Sequence, residues 1–188
     1  MISFREVETA DAELIISWRT KQRVTKFMLS DIDTCLDSQK MWLASCFEKP
    51  HYYHWIIQYN GKDVGLINFT NWHPDKKHCS WGFYIGDDDA LGIGGFVPPY
   101  FYNFAFDVLN VDIIRAEVFY TNVNTIKLHL SHGYHFDPSR DEVIQKGKHE
   151  ILVVGMNLNR ITFSCSRFAS VKADFPVHNW NANPLVSE

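Results

Sequence analysis

The sequence has no excess of positive charge, no paired cysteine motif and no apolar run long enough to cross a bilayer. Lys and Arg number 18 against 22 Asp and Glu, a net charge of −4. Duplex nucleic acid is gripped by several Lys or Arg gathered on one face, so this balance speaks against a polyanion binder. It leaves room for a small basic pocket. No stretch reaches the roughly 18–20 apolar residues that a membrane-spanning helix requires. The opening residues lack both a basic leader and an apolar signal core, so the expected location is the cytoplasm. Cys35, Cys46, Cys79 and Cys165 stand far apart with no C-x-x-C pair, the pattern of reduced thiols rather than of a disulfide scaffold. The histidine pairs His51/His54 and His73/His78 lack a second ligand pair at recognisable spacing, and no metal site is expected.

What is plentiful is apolar and aromatic surface. Hydrophobic residues make up 46% of the 188, including 14 Phe, 8 Tyr and 6 Trp, enough to offset the chain entropy of one domain. No repeat or low-complexity stretch divides the chain. Ile2–Val7 starts as a strand. Ala10, Leu14 and Trp18 then fall on one helical face, and Trp42, Leu43, Cys46 and Phe47 form a second helical stripe that stops near Pro50. The loop between them, Val24–Thr34, carries Phe27 and Met28 without period. Trp55, Ile57 and Tyr59 alternate, Asn60-Gly61 supplies a type I′ turn, and Val64–Trp72 returns as the partner strand. Cys79–Ile85 is a further strand, followed by a glycine-rich loop and an aromatic-rich helix to about Leu109. Ile113–Tyr120 is β-rich, Asn122–Ser131 is a short helix ended by Gly133, and Tyr134–Phe136 and Glu150–Leu158 are strands around a polar hairpin, Pro138–Lys148. An antiparallel meander followed by a strand–helix–strand crossover makes an α/β fold with a mixed sheet. Residues 1–159 form the expected domain. Residues 160–188 are read as a tail or as a packing arm, and a homodimer is compatible with the latter.

The most informative segment is the loop Leu91-Gly92-Ile93-Gly94-Gly95 between a strand end and a helix start. Glycines there let the chain turn sharply and aim N–H groups at one point, and the helix dipole adds to the attraction for phosphate oxygens. The alternative is a tight turn with no ligand. The loop is neither a Walker loop nor a dinucleotide fingerprint in its usual first unit. Pro98 and Pro99 lack N–H groups, so the donors would come from Leu91 to Phe96.

This arrangement resembles the GCN5-related N-acetyltransferases over about Ile2 to Leu158. Such enzymes bind the pyrophosphate of acetyl-CoA with Arg/Gln-x-x-Gly-x-Gly/Ala after the fourth strand. Here the segment reads Asp89-Ala90-Leu91-Gly92-Ile93-Gly94, with the glycines in place and an Asp where the basic or amide residue stands. A second family motif, an Asn followed three, six and seven residues later by small, apolar and usually Tyr positions, reads Asn122, Thr125, Leu128 and His129, then Gly133-Tyr134. The resemblance implies a mostly antiparallel seven-stranded sheet with a splayed central strand pair, flanked by about four helices. It also implies acetyl-CoA as co-substrate, held by the backbone at Phe83 and Ile85, by Leu91, Gly92, Ile93, Gly94 and Gly95, and by Asn122 and Thr125, with capping of its own helix as the alternative for Asn122.

Within the family the sequence is most like the amino-sugar acetyltransferases of pseudaminic acid synthesis in flagellin glycosylation. The supporting segments are Ser17-Trp18-Arg19, Phe27-Met28-Leu29-Ser30, Gly82-Phe83-Tyr84 and Arg115-Ala116-Glu117-Val118. Those enzymes acetylate the 4-amino group of a UDP-linked 4-amino-4,6-dideoxy sugar. That likeness implies Arg19 and Met28 near the nucleotide and Glu117 near the amine, with a solvated helix-end arginine as the alternative for Arg19. Trp42, Trp72 and Tyr84 are candidates to stack on uracil or wall the sugar pocket, with core packing as the alternative for each.

Acetyl transfer requires that the amine lose a proton and that the departing thiolate be stabilised or protonated. Glu117 lies in an apolar strand, where burial would raise its pKa toward a working value; the alternative pairs it with Arg115 in solvent. His129 stands where the family usually has a Tyr acid, and a helix C-terminal position would favour the imidazolium. The alternative is a surface His. Two other functions remain open at this level: acetylation of a protein N-terminus or small amine, and a non-catalytic module that only binds coenzyme A.

Overall fold

The protein is described by a computed structural model over residues 1–185. Eight strands form a single sheet: β1 (Ile2–Glu6), β2 (Tyr53–Tyr59), β3 (Lys62–His73), β4 (His78–Ile85), β5 (Ile113–Phe119), β6 (His135–Phe136), β7 (Glu142–Lys146) and β8 (His149–Asn159). Their order is β1-β2-β3-β4-β5-β8-β6, with β7 also paired to β8. Every pairing is antiparallel except β4 with β5. The hairpin between β2 and β3 turns where both Asn60 (φ 51°) and Gly61 (φ 80°) have positive φ, as a type I′ turn demands.

The sheet holds eight strands where seven were expected, because β7 lies inside the stretch read as a polar hairpin. β6 and β7 share one flank of β8, interrupted by a 3-10 turn at Pro138–Arg140. Glu142, Gln145 and Lys146 give β7 no apolar alternation. An edge strand needs none, since its ladder bonds run to one side, and the Glu142 and Gln145 side chains face water.

The described residues form six helices: α1 (Ala12–Arg19), α2 (Gln22–Thr25), α3 (Leu36–Phe47), α4 (Pro98–Asp107), α5 (Val123–Ser131) and α6 (Arg160–Ser164). The two beyond the expected four are the short α2 and α6. α1 and α3 cover one face, where Ile15, Trp18 and Leu43 meet Ile56 and Leu66. α4 and α5 cover the other, over a core that includes Trp55, Phe69, Phe101 and Met156.

Helix α4 is buried almost all round, which a helix on a sheet face is not unless something covers its outer side. The cover is the chain after β8. Phe163 packs on Tyr102 and Phe106, Phe175 stacks on Phe4 at 4.0 Å and on Phe104 at 4.8 Å, and Trp180 meets Phe69 and Trp72. The Asn103 amide donates to the carbonyls of Phe168 and Val171, and Trp55 Nε1 to that of Pro176. Residues 160–185 are therefore packed onto the core of their own chain. Among the described residues no helix is long and apolar enough to cross a membrane.

Candidate active site

Strands β4 and β5 pair only from His78 to Ser80, against Ile113 to Arg115, and separate beyond. From Trp81 onward, the backbone groups of β4 that face β5 have no strand partner. The gap opens into a cavity of about 930 Å³. Helix α5 brings Asn122, Thr125 and His129 to it from one face of the sheet. Arg19, Trp42, Tyr52, His54 and Asn68 border it from the other, with Phe83, Tyr84, Ile85 and Glu117 between.

The glycine loop lies at the end of β4 as expected, and the regular helix starts at Pro98. Its amides are not all free. Those of Ile93, Gly94 and Phe96 bond back to Ala90, Leu91 and Ile93 in a 3-10 turn. Among the described residues, Leu91, Gly92 and Gly95 make no backbone bond of that kind, so three of the expected six donors remain. Leu91 borders the main cavity. Gly92 and Ile93 border a hollow of about 550 Å³ beside it, together with Asp89; Gly94 and Gly95 border neither. A Cβ added at Gly92 would meet nothing within 4 Å, and its φ is not left-handed. The chain's own packing thus gives no reason for a glycine there, whereas a ligand that must touch bare backbone does.

At the N-terminus of α5, Asn122 occupies the cap position without a side-chain cap bond, so its amide is left for the cavity. His129, one helical face on, departs from expectation. It is 3% exposed, stacked on Tyr134 at 4.7 Å, and its Nδ1 is buried without a partner. Burial pushes its pKa down to about 3, with the His132 charge adding to the effect. The resting side chain is a neutral imidazole, not the helix-end imidazolium expected from the dipole. Desolvation at this depth outweighs a dipole effect of about 1 kcal/mol.

Glu117 on β5 borders the cavity, accepts a bond from Ser80 Oγ at 3.3 Å and is ion-paired with Arg140. Arg115, the alternative partner, instead turns Nη1 to His78 Nε2 at 3.2 Å. Arg140 sits in the turn between β6 and β7, 23 residues along the chain, which local pattern could not connect to Glu117.

On the far side, Arg19, Met28, Trp42 and Tyr84 all border the cavity. Arg19 Nη2 donates to the Ser30 carbonyl at 2.7 Å, and its Nε is buried without a partner. The Tyr84 hydroxyl is likewise unpartnered, and burial raises its pKa. Trp72 is not part of the site. It is buried in the core against Phe69 and Trp180, and its Nε1 donates to the Leu109 carbonyl. Leu66, Asn68 and Thr70 alternate toward the cavity, and regular alternation would bring Trp72 after them. The register breaks between Thr70 and His73, where Asn71 has φ 50°, and the break turns Trp72 to the opposite face.

The sequence pattern of the Acetyltransferase (GNAT) domain family matches residues 4–152. The chain belongs to this family. Like other GNAT members it is an acetyl-CoA-dependent N-acetyltransferase. Two curated relatives, each called acetyltransferase PseH, come from Campylobacter jejuni subsp. jejuni, serotypes O:2 and O:23/36. Each is 25% identical over 141 residues, which is 74% of this chain and 87% of the relative. Among solved structures, a spermidine N-acetyltransferase from Vibrio cholerae in complex with CoA and spermine superposes with TM-score 0.76 at 12% identity, over 86% of this chain and 97% of that one. The aminoglycoside acetyltransferase AAC(6')-Ib with coenzyme A does so with TM-score 0.72 at 15% identity, over 89% and 99%.

The GNAT co-substrate suits the residues present. The unpaired amides of Leu91 and Gly92, an open Cβ position at Gly92 and an uncommitted Asn122 amide suit the diphosphate and the amide-bearing arm of an acyl-CoA. Among the described residues no group of His, Cys, Asp and Glu could hold a metal ion. The sequence offers His54 only as a metal-ligand candidate. It lies buried in the cavity floor between Tyr52 and Trp42, with Asn68 Nδ2 at 3.4 Å from Nε2, and burial lowers its pKa to about 3. Alternation along β2 and β3 could have placed His54 and Asn68 on the face of Ile56 and Leu66, but not at a cavity.

Proposed function

We propose that this GNAT enzyme transfers the acetyl group to the 4-amino group of a UDP-linked 4-amino-4,6-dideoxy sugar, the pseudaminic acid step of flagellin glycosylation. One observation carries the reading: the acceptor side of the cavity is aromatic and cationic, not acidic. The Arg19 guanidinium, with its buried unpartnered Nε, stands with Trp42, Tyr52 and Tyr84, a set suited to a diphosphate and a base. The bordering carboxylates are Asp31 and Asp33, both on the exposed rim, and Glu117, already paired with Arg140. A polyamine or an aminoglycoside is a polycation and calls for unpaired carboxylates. The likeness to the PseH relatives supports the same acceptor.

Bound acetyl-CoA supplies the acetyl thioester. Leu91 and Gly92 N–H groups would hold its diphosphate, Asn122 and Thr125 its pantetheine arm, and an N–H of the splayed β4 near Phe83–Ile85 the thioester carbonyl. Glu117 takes the proton of the acceptor ammonium, directly or through water. The free amine would then attack the thioester carbonyl, the C–S bond would break and the second amine proton would pass to the departing sulfur, giving the free thiol; neutral His129 would steady that sulfur with a ring N–H hydrogen bond as its negative charge develops. The four cysteines are free thiols, which supports a cytoplasmic setting.

Thermal shift tests the acceptor. UDP alone at about 100 times its Kd should stabilise the protein by about 2.7 kcal/mol, several degrees in Tm, and spermidine should not. A shift with spermidine and none with UDP overturns the sugar-nucleotide assignment.

A further inference from the structure

The segment that walls the acceptor side has little structure of its own. α2 spans four residues, and 26–35 form no further helix or strand. One helical turn is far too short to hold itself. Three cations fix it, each through main-chain carbonyls, two of them from outside the segment. Arg19 bonds Ser30 from α1. At its start, the segment's own Arg23 reaches the Ile85 and Gly86 carbonyls at 2.6 and 2.7 Å, anchoring it to the end of β4.

The third tie comes from the other half of the chain. Lys146, at the end of β7, places Nζ 2.7 Å from the Thr25 carbonyl and 2.6 Å from that of Met28, 121 and 118 residues away. The ammonium is 5.7 Å from the centroid of the Phe119 ring and 3.9 Å from an Asp31 oxygen. Its side chain is only 20% exposed, so these bonds are partly sheltered from water. Phe119, Phe27 and Met28 all border the cavity. Lys146 therefore spans from the β5 wall to the segment that carries Phe27 and Met28.

We propose that Lys146 is a positioning residue for the acceptor: it holds the turn Thr25–Met28 against the β7–β8 hairpin and so sets the acceptor affinity of an enzyme whose acetyl-CoA site it does not touch. This rests on the reading of that side of the cavity as the acceptor side. In Lys146→Met, losing two charge-assisted bonds should raise the KM for the UDP-linked amino sugar about tenfold or more, with the KM for acetyl-CoA within about twofold of wild type. Hydrogen exchange at amides 25–30 should accelerate about tenfold while β2 to β5 keep their protection. Lys146→Arg, which keeps the cation, should recover most of both effects.

Unchanged exchange at 25–30, an unchanged acceptor KM, an acetyl-CoA KM that rises in step, or a Lys146→Met chain that does not fold each overturns the local role. If the wild-type enzyme leaves the UDP-linked sugar unacetylated, the proposed acceptor fails by itself. Lys146 is then decided by the same KM split on spermidine together with the exchange measurement.

Discussion

Replacing Gly92 by Ala separates what the fold needs from what the ligand needs. The added methyl meets no protein atom within 4 Å, and the residue is not in the left-handed region. Removing a glycine's freedom from the unfolded chain then stabilises by about 0.4–1 kcal/mol. For a domain of this size that is a rise of roughly 1–4 °C in Tm. The same methyl would stand beside the amide that the proposed reading gives to the donor diphosphate. Losing one charge-assisted backbone bond costs about 1.5–3 kcal/mol, or roughly 10- to 150-fold in affinity. Differential scanning fluorimetry of the free protein and calorimetry with coenzyme A read the two effects independently. Stability should go up while affinity goes down. Coenzyme A affinity within twofold of wild type would refute the anion-cradle reasoning, and a fall in Tm would show that the glycine serves the fold.

Acid should destabilise the protein through His54 and His129, whose folded pKa values lie at about 3, below the ordinary value near 6.5. Their unfolded forms take up protons first, so stability is complete above about pH 6.5 and is lost as pH falls toward 3. Each costs roughly 2 kcal/mol between neutral pH and pH 5. A melting temperature that stays flat from pH 7 to pH 5 would contradict the neutral, buried assignment, and His129→Asn should remove that residue's share of the slope. Trp72→Phe should lower stability by about 1 kcal/mol through loss of the bond to Leu109 and leave acceptor KM alone, whereas Trp42→Ala should raise acceptor KM. Steady-state kinetics with chemical denaturation checks this pair, and the reverse split would return Trp72 to the site.

The local chemistry of the backbone was legible in the residues themselves. Asn60-Gly61 dictated a turn that only positive φ allows, Pro98 marked where α4 could begin, and Gly133, at φ 99°, marked where α5 had to stop. The turn built on the glycines after β4 and the helix opened by Asn122 were legible for the same reason, since a tight turn and a helix start are built from neighbours in the chain. Only the tertiary structure decided the rest. Arg140 came to Glu117, Lys146 came to Met28, and a shift in strand register withdrew Trp72 from the cavity. His129 kept its place and lost its charge because Tyr134 and Trp81 enclose it. Residues 160–185 covered α4 because its aromatic ring of side chains had more apolar surface than one sheet face could bury. Turns and caps are set by a few consecutive residues, whereas burial, ion pairing and protonation belong to groups that meet only when distant parts of the chain are packed together.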